Sequence, residues 1–144
     1  MYVLDTNILV AALWSRSGAS FQIVQRALDG RIRIAISVAL ALEYEAVLHR
    51  ATLREASWAS RAQVDTILDA VIASAQLVAP IRTRLRPTLQ DPDDDMVLEC
   101  AVQSGADAIV TMNVRDFAAA LSVYRLEVIR PGALLARLKS GETA

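Results

Sequence analysis

A chain of 144 residues and 15.6 kDa, 54% of them hydrophobic, has the apolar mass for one compact core and little length for a second. Charged residues make up 22%, with only 5 Gly and 4 Pro, a composition that excludes intrinsic disorder. Set against 16 acids, the 15 cations leave a net charge of −1, so no overall basic field marks a nucleic-acid binder. All the cations but Lys139 are Arg, the residue better suited to bidentate phosphate contacts.

Unbroken apolar stretches such as Val38 to Leu42 fall far below the ~20 residues a membrane span needs. The start, Met1-Tyr2-Val3-Leu4-Asp5, has no basic n-region and meets an acid before its longer apolar run, which speaks against a secretory signal and for a cytoplasmic protein. With Cys100 the single cysteine and His49 the single histidine, neither an internal disulfide nor a zinc site of Cys and His ligands can be assembled.

In chain order, Tyr2-Val3-Leu4 reads as a first strand and Ile8 to Trp14 as the helix after it. Phe21, Val24 and Leu28 mark a second helix ending near Gly30, and Ile34-Ala35-Ile36 a second strand. A helix follows from Ser37 to Leu48, then an amphipathic one through Val64, Ile67, Leu68, Val71 and Ile72. Gln76 to Ala79 fits a short strand, and Pro80 to Asp91 is an extended polar segment. The stripe Met96, Val97, Cys100, Ala101 and Ser104 marks another helix, Ala108 to Thr111 and Leu126 to Ile129 two more strands, and Pro131 opens a last helix. Strands alternating with helices predict an α/β protein with a central, mostly parallel sheet of four to five strands, in an order the pattern leaves open. The domain is expected over 1–139, with a frayed tail from Ser140 to Ala144.

Acids fall where parallel sheets bind ligands. Asp5 directly follows the first strand, at the carboxyl end where open parallel sheets carry their sites, although an N-cap would also explain it. Glu43 shares helical spacing with Ala39, Leu40 and Val47, at the edge of a core-facing stripe, whereas Glu45 points elsewhere. In Asp91-Pro92-Asp93-Asp94-Asp95, capping and the helix dipole account for Asp91, Pro92 and one or two more acids. Asp94 aligns with Val97, Leu98 and Ala101 on the inward side, and Asp95 is expected to face solvent. After the late strand come Thr111, Asn113 and Asp116; Asn113 with Asp116 also fits a helix start.

Two unpaired carboxylates ~4 Å apart repel by about 4 kcal/mol at an effective dielectric of ~20, so several on one rim call for a cation. With oxygen ligands only, that is a hard divalent ion, Mg²⁺ or Mn²⁺ ahead of Zn²⁺. Such ions activate water and stabilise a departing oxygen in phosphodiester hydrolysis.

The same residues resemble the PIN domain, the fold of many small metal-dependent ribonucleases. The resemblance rests on Leu4-Asp5-Thr6-Asn7, a Glu on the helix after the second strand, an Asp opening a later helix, and Thr-x-Asn-x-x-Asp after a late strand, and it spans nearly the whole chain. Ser37 to Leu48, Asp91 to Asp94 running into Leu98-Glu99-Cys100-Ala101, and Gly105 to Thr111 are similar to the toxin subfamily of toxin-antitoxin modules, relatives of the VapC toxins. The resemblance implies a three-layer α/β/α fold, with Asp5, Glu43 and Asp94 binding Mg²⁺ or Mn²⁺ and Asn7 and Thr111 in support. Many members have an acid where this chain has Asn113, so the fourth position passes to Asp116. It also implies cleavage of RNA, a homodimer and a small antitoxin partner.

Arg82, Arg84 and Arg86 alternate just before the acidic segment and are candidates to hold RNA phosphates. Trp14, Phe21, Tyr44, His49 and Cys100 are read as structural. Two other functions stay open: a degenerate PIN scaffold binding a protein or RNA, which the Asn113 departure allows, and a phosphatase. Against the latter, Leu4-Asp5-Thr6-Asn7 lacks a second acid two residues on, and no Lys lies near the late strand.

Overall fold

The computed structural model describes residues 1–52, 57–82, 89, 91–118 and 123–143. The short apolar runs become five parallel strands. These are β1 (Tyr2–Leu4), β2 (Ala35–Ile36), β3 (Gln76–Leu77), β4 (Ala108–Val110) and β5 (Glu127–Ile129). β1 pairs with β4 through Val3 opposite Ile109, and β4 with β5 through Ile109 opposite Val128. β2 pairs with β3, and a single bridge between Tyr2 and Ile34 joins this ladder to β1. The resulting order is β3-β2-β1-β4-β5. Val3, Leu4, Ile109 and Val110 are fully buried, as expected of central parallel strands covered on both faces. Edge strand β3 is exposed at Gln76 and Leu77.

The helices are α1 (Thr6–Trp14), α2 (Ala19–Leu28), α3 (Val38–Thr52), α4 (Arg61–Ser74), α5 (Pro92–Ser104) and α6 (Pro131–Thr143), with a short 3-10 helix over Val114–Phe117. The chain steps outward from β1 to β2 and β3, then returns to lay β4 on the other side of β1. Right-handed crossovers therefore put α1 to α4 on one face and α5 on the other. Consistent with this, α1 to α4 pack among themselves while α5 lies against β1, β2 and β4. The expected three-layer arrangement is present, with five strands in the sheet.

Local chemistry sets the helix ends. Ser60 and Gln63 form a reciprocal capping box at the start of α4. Asp91 caps α5 by accepting from the Asp93 amide at 2.9 Å, with Pro92 in the first turn, as the sequence predicts. Gly105, at φ 67°, closes α5 in the left-handed region that glycine adopts without a Cβ penalty, three residues before β4.

The tail departs from expectation. Instead of fraying at Ser140, α6 runs on to Thr143. Glu142 receives both guanidinium nitrogens of the buried Arg26 and a bond from Arg31 at 2.6 Å, which fastens the last turn to α2 and its C-terminal loop.

Candidate functional site

Because the sheet order turns back at β1, the gap between β1 and β4 is the switch point, where open α/β sheets place their ligands. Asp5 leaves the carboxyl end of β1 and Thr111 that of β4, their strands in register at Leu4 and Val110. Although Asp5 stands at the N-cap position of α1, its side chain makes no capping bond. It accepts instead from the Thr111 hydroxyl at 2.7 Å, and the residue is 8% exposed.

Thr111 is fully buried and uses its hydroxyl completely: it donates to Asp5 and accepts from the Asn113 amide at 3.0 Å and the Asn7 amide nitrogen at 3.4 Å. Asn7 also donates to Asp5 at 3.3 Å and accepts from the Met112 backbone at 3.3 Å. The two loops are thereby tied to each other through Asp5. Replacing Thr111 with the isosteric Val takes the shorter of two side-chain donors from the Asp5 carboxylate and leaves the Asn113 amide without its acceptor; we expect a loss of about 1–3 kcal/mol in denaturant-induced unfolding. An unchanged midpoint would show that water replaces the hydroxyl.

Glu43 and Asp94 come to this edge from α3 and α5. Both are half-buried. Tyr44, fully buried next to Glu43, donates its hydroxyl to the Leu4 carbonyl and so pins α3 against the end of β1. Ser37 caps α3 by accepting from the Leu40 amide at 3.1 Å. Sequence reading gave Tyr44 only a structural role; its place between Leu40 and Leu48 on the apolar stripe signals burial, but not that its hydroxyl would set the approach of Glu43.

The acids feel one another. Burial raises the Asp5 carboxyl, the Thr111 hydroxyl opposes this, and the charge of Asp116 adds to the rise. Asp94 is pushed up to about 6, by burial first and then by Asp5, Asp91, Asp116 and Asp93. Glu43 is raised by burial and by Asp93, against the pull of Arg50, with Asp91 and Asp5 contributing further. Asp5, Glu43, Asp94 and Asp116 thus share one electrostatic neighbourhood. Among the described residues, however, no group of three or more His, Cys, Asp or Glu side chains is arranged to hold a metal ion as it stands.

Asn113 and Asp116 both lie at the 3-10 helix after β4. Asp116 is exposed in the 3-10 helix, its charge acting on both Asp5 and Asp94. Asn113 stands at the N-cap of that helix, but its side chain makes no capping bond. Asp95 differs from expectation: it is half-buried and accepts from the Leu89 amide at 2.8 Å instead of facing solvent. Arg82 is exposed, its backbone amide held by Gln103 at 2.6 Å, while Arg84 and Arg86 lie outside the described residues.

No soft donor reaches the cluster. Cys100 is buried in α5 with its thiol raised to about 11 by burial, and His49 joins Asp65 at 2.8 Å between α3 and α4. Trp14 is 47% exposed, while Phe21 packs edge-on to Trp58.

No curated protein matches the sequence. Among solved structures the chain is similar to VapBC2 from Rickettsia felis, determined bound to a DNA fragment from their promoter, with a TM-score of 0.58 and 19% identity over 90% of this chain and 97% of that one. This likeness bears on the fold. The family model of the PIN domain matches residues 1–115, most of the chain including β1 to β4 and every candidate acid but Asp116, and the chain belongs to the PIN domain family.

Proposed function

We propose that the chain is a Mg²⁺- or Mn²⁺-dependent endoribonuclease, the toxin of a toxin-antitoxin pair. The observation that carries this reading is the nearly buried Asp5, held at the switch point by Thr111 and Asn7, with its charge acting on Glu43 and Asp94 and the charge of Asp116 acting on it. Acids that raise one another's affinity for protons form a field that also favours a cation. Asp5, Glu43, Asp94 and Asp116 are the proposed ligands, an all-oxygen set suited to a hard divalent ion.

When bound, the ion would polarise a water for in-line attack on the phosphodiester and offset charge on the leaving 3′ oxygen. The residues of this chain do the positioning. Thr111 and Asn7 hold Asp5 in one orientation, and the buried Tyr44 fixes the helix that carries Glu43. Asp91 and Pro92 set the start of the helix that carries Asp94. No protein nucleophile is required.

The antitoxin and homodimer are parts of the same proposal. Likeness of fold to VapBC2, which was solved on DNA from its own promoter, supports a small DNA-binding partner. Arg82, with Arg84 and Arg86, is proposed to contact RNA phosphates beside the acids.

Purified protein is expected to cleave RNA with Mn²⁺ or Mg²⁺, to stop in EDTA, and to leave a generic phosphomonoester intact. Titration of Mn²⁺ into metal-free protein is expected to raise Tm. Folded protein with neither thermal shift nor cleavage would instead favour the non-catalytic scaffold reading that Asn113 leaves open.

A further inference from the structure

Beside Asp5 an open groove of about 450 Å³ runs between the end of α1, the start of α2 and the start of α6. It is lined by Ala11, Gly18, Ser20, Met112, Arg130 and Gly132, among others, and no acid lines it among the described residues. The groove is joined to Asp5 through two hydrogen bonds, because Asn7 accepts from the Met112 amide and donates to Asp5.

The Ser15 hydroxyl at its edge pairs with Ser17, but other polar groups of the groove are unspent. Ser20 is 5% exposed, yet its hydroxyl has no hydrogen-bond partner among the described residues. No fully enclosed side-chain polar atom among those residues lacks a partner, so the Ser20 hydroxyl keeps contact with the groove that it lines. Gly18, at the N-cap of α2, brings no side chain to satisfy the first amides of that helix. The Arg130 side chain, just before α6, is exposed and has no acid partner among the described residues. Elsewhere the walls are small or apolar: Ala11, Gly132 and the half-exposed Met112.

We propose that this groove is a nucleotide subsite of the ribonuclease: it holds the nucleotide next to the scissile phosphate. The flanking phosphate lies against Ser20, the open amides of α2 and Arg130, and the sugar and base lie along Met112 and Ala11. An anionic ligand answers the two observations that need explaining, a nearly buried hydroxyl without a partner and a cation facing a cavity free of acids. The space is of nucleotide size, and its apolar side suits a ribose and base better than a bare anion. The subsite rests on the ribonuclease reading.

The test uses a fluorescein-labelled single-stranded RNA decamer of mixed sequence and the full chain carrying Asp5→Asn to silence cleavage, in Mg²⁺. Gly132→Glu brings a negative charge into the groove at little structural risk, since a Cβ at Gly132 meets nothing within 4 Å and an acid suits the first turn of a helix. It is expected to raise Kd several-fold with Tm held, because the added charge repels the phosphate from a few ångströms away. Arg130→Gln is expected to raise Kd several-fold and to flatten the slope of log K against log salt by about 0.7, one phosphate contact on a single strand. Ser20→Ala is expected to weaken binding about threefold. In the cleaving protein the same three changes are expected to raise KM. Folded groove variants with unchanged Kd and salt slope, in a protein that binds and cleaves RNA, would overturn the subsite and leave the ribonuclease standing. A wild-type chain that neither binds nor cleaves the decamer would overturn both.

Discussion

Asp5→Asn is expected to lower Mn²⁺-stimulated RNA cleavage by about a thousandfold or more, since a bound ion contributes several kcal/mol to the stability of a phosphoryl-transfer transition state. The fold is expected to survive. The amide is nearly isosteric with the carboxylate, and its oxygen can still accept from the Thr111 hydroxyl that now meets Asp5 at 2.7 Å. Removing the charge also relieves the repulsion that raises Asp94. Against this gain, the new NH2 group faces a site arranged for an acceptor, where Asn7 also donates. The two effects oppose each other, so Tm in EDTA is expected to change by no more than a few degrees, while the shift on adding Mn²⁺ disappears. Full metal-stimulated activity in the variant, purified free of contaminating nuclease, would remove Asp5 from the site and the proposed chemistry with it.

What the sequence reveals of this fold is what local pattern encodes. Tyr2-Val3-Leu4 and Ala108-Ile109-Val110 are apolar runs too short for helices, and both are central strands. Their neighbours cannot be read from the same pattern. Strands buried on both faces are interchangeable in composition, and only the assembled sheet reveals that β4, not β3, lies beside β1. Placing Asp5 at the sheet edge needs only a strand end, whereas bringing Thr111 to it depends on that pairing across more than a hundred residues.

The departures have the same origin. A helical wheel sets Asp95 outward because it describes α5 alone, and it cannot see that Leu89, ahead of the helix, donates its amide to the Asp95 carboxylate. Ser140 to Ala144 looks like a fraying end by composition, but Arg26 and Arg31 hold Glu142 from the other end of the chain. Ser20 sits in an amphipathic helix as an unremarkable polar residue. Its lack of a partner emerges only when α6 closes the far side of the groove.

Asp94 offers a test of the acid cluster that needs no substrate. Its carboxyl is raised from the ordinary 3.8 to about 6, by burial first and then by Asp5 and its acidic neighbours. Between about pH 4 and 6 the native chain therefore holds a proton that the unfolded chain has released. Native protein binding the more protons means that the unfolding free energy falls as pH rises through this window and levels off above it. A fully shielded shift of this size would correspond to about 3 kcal/mol; for a half-buried group, solvent screening brings the expected loss to about 1 kcal/mol. Asp5 and Glu43 are raised in the same direction, so some slope remains when Asp94 is replaced. In EDTA, Asp94→Asn is expected to flatten the decline and to be the more stable protein at pH 7. Mn²⁺ reverses the order, stabilising the wild type and not the variant, because a cation now offsets the repulsion that protons offset at low pH. Parallel stability profiles for the two proteins from pH 4 to 7 would mean that Asp94 stands clear of the other acids, and the shared ligand set would lose its third member.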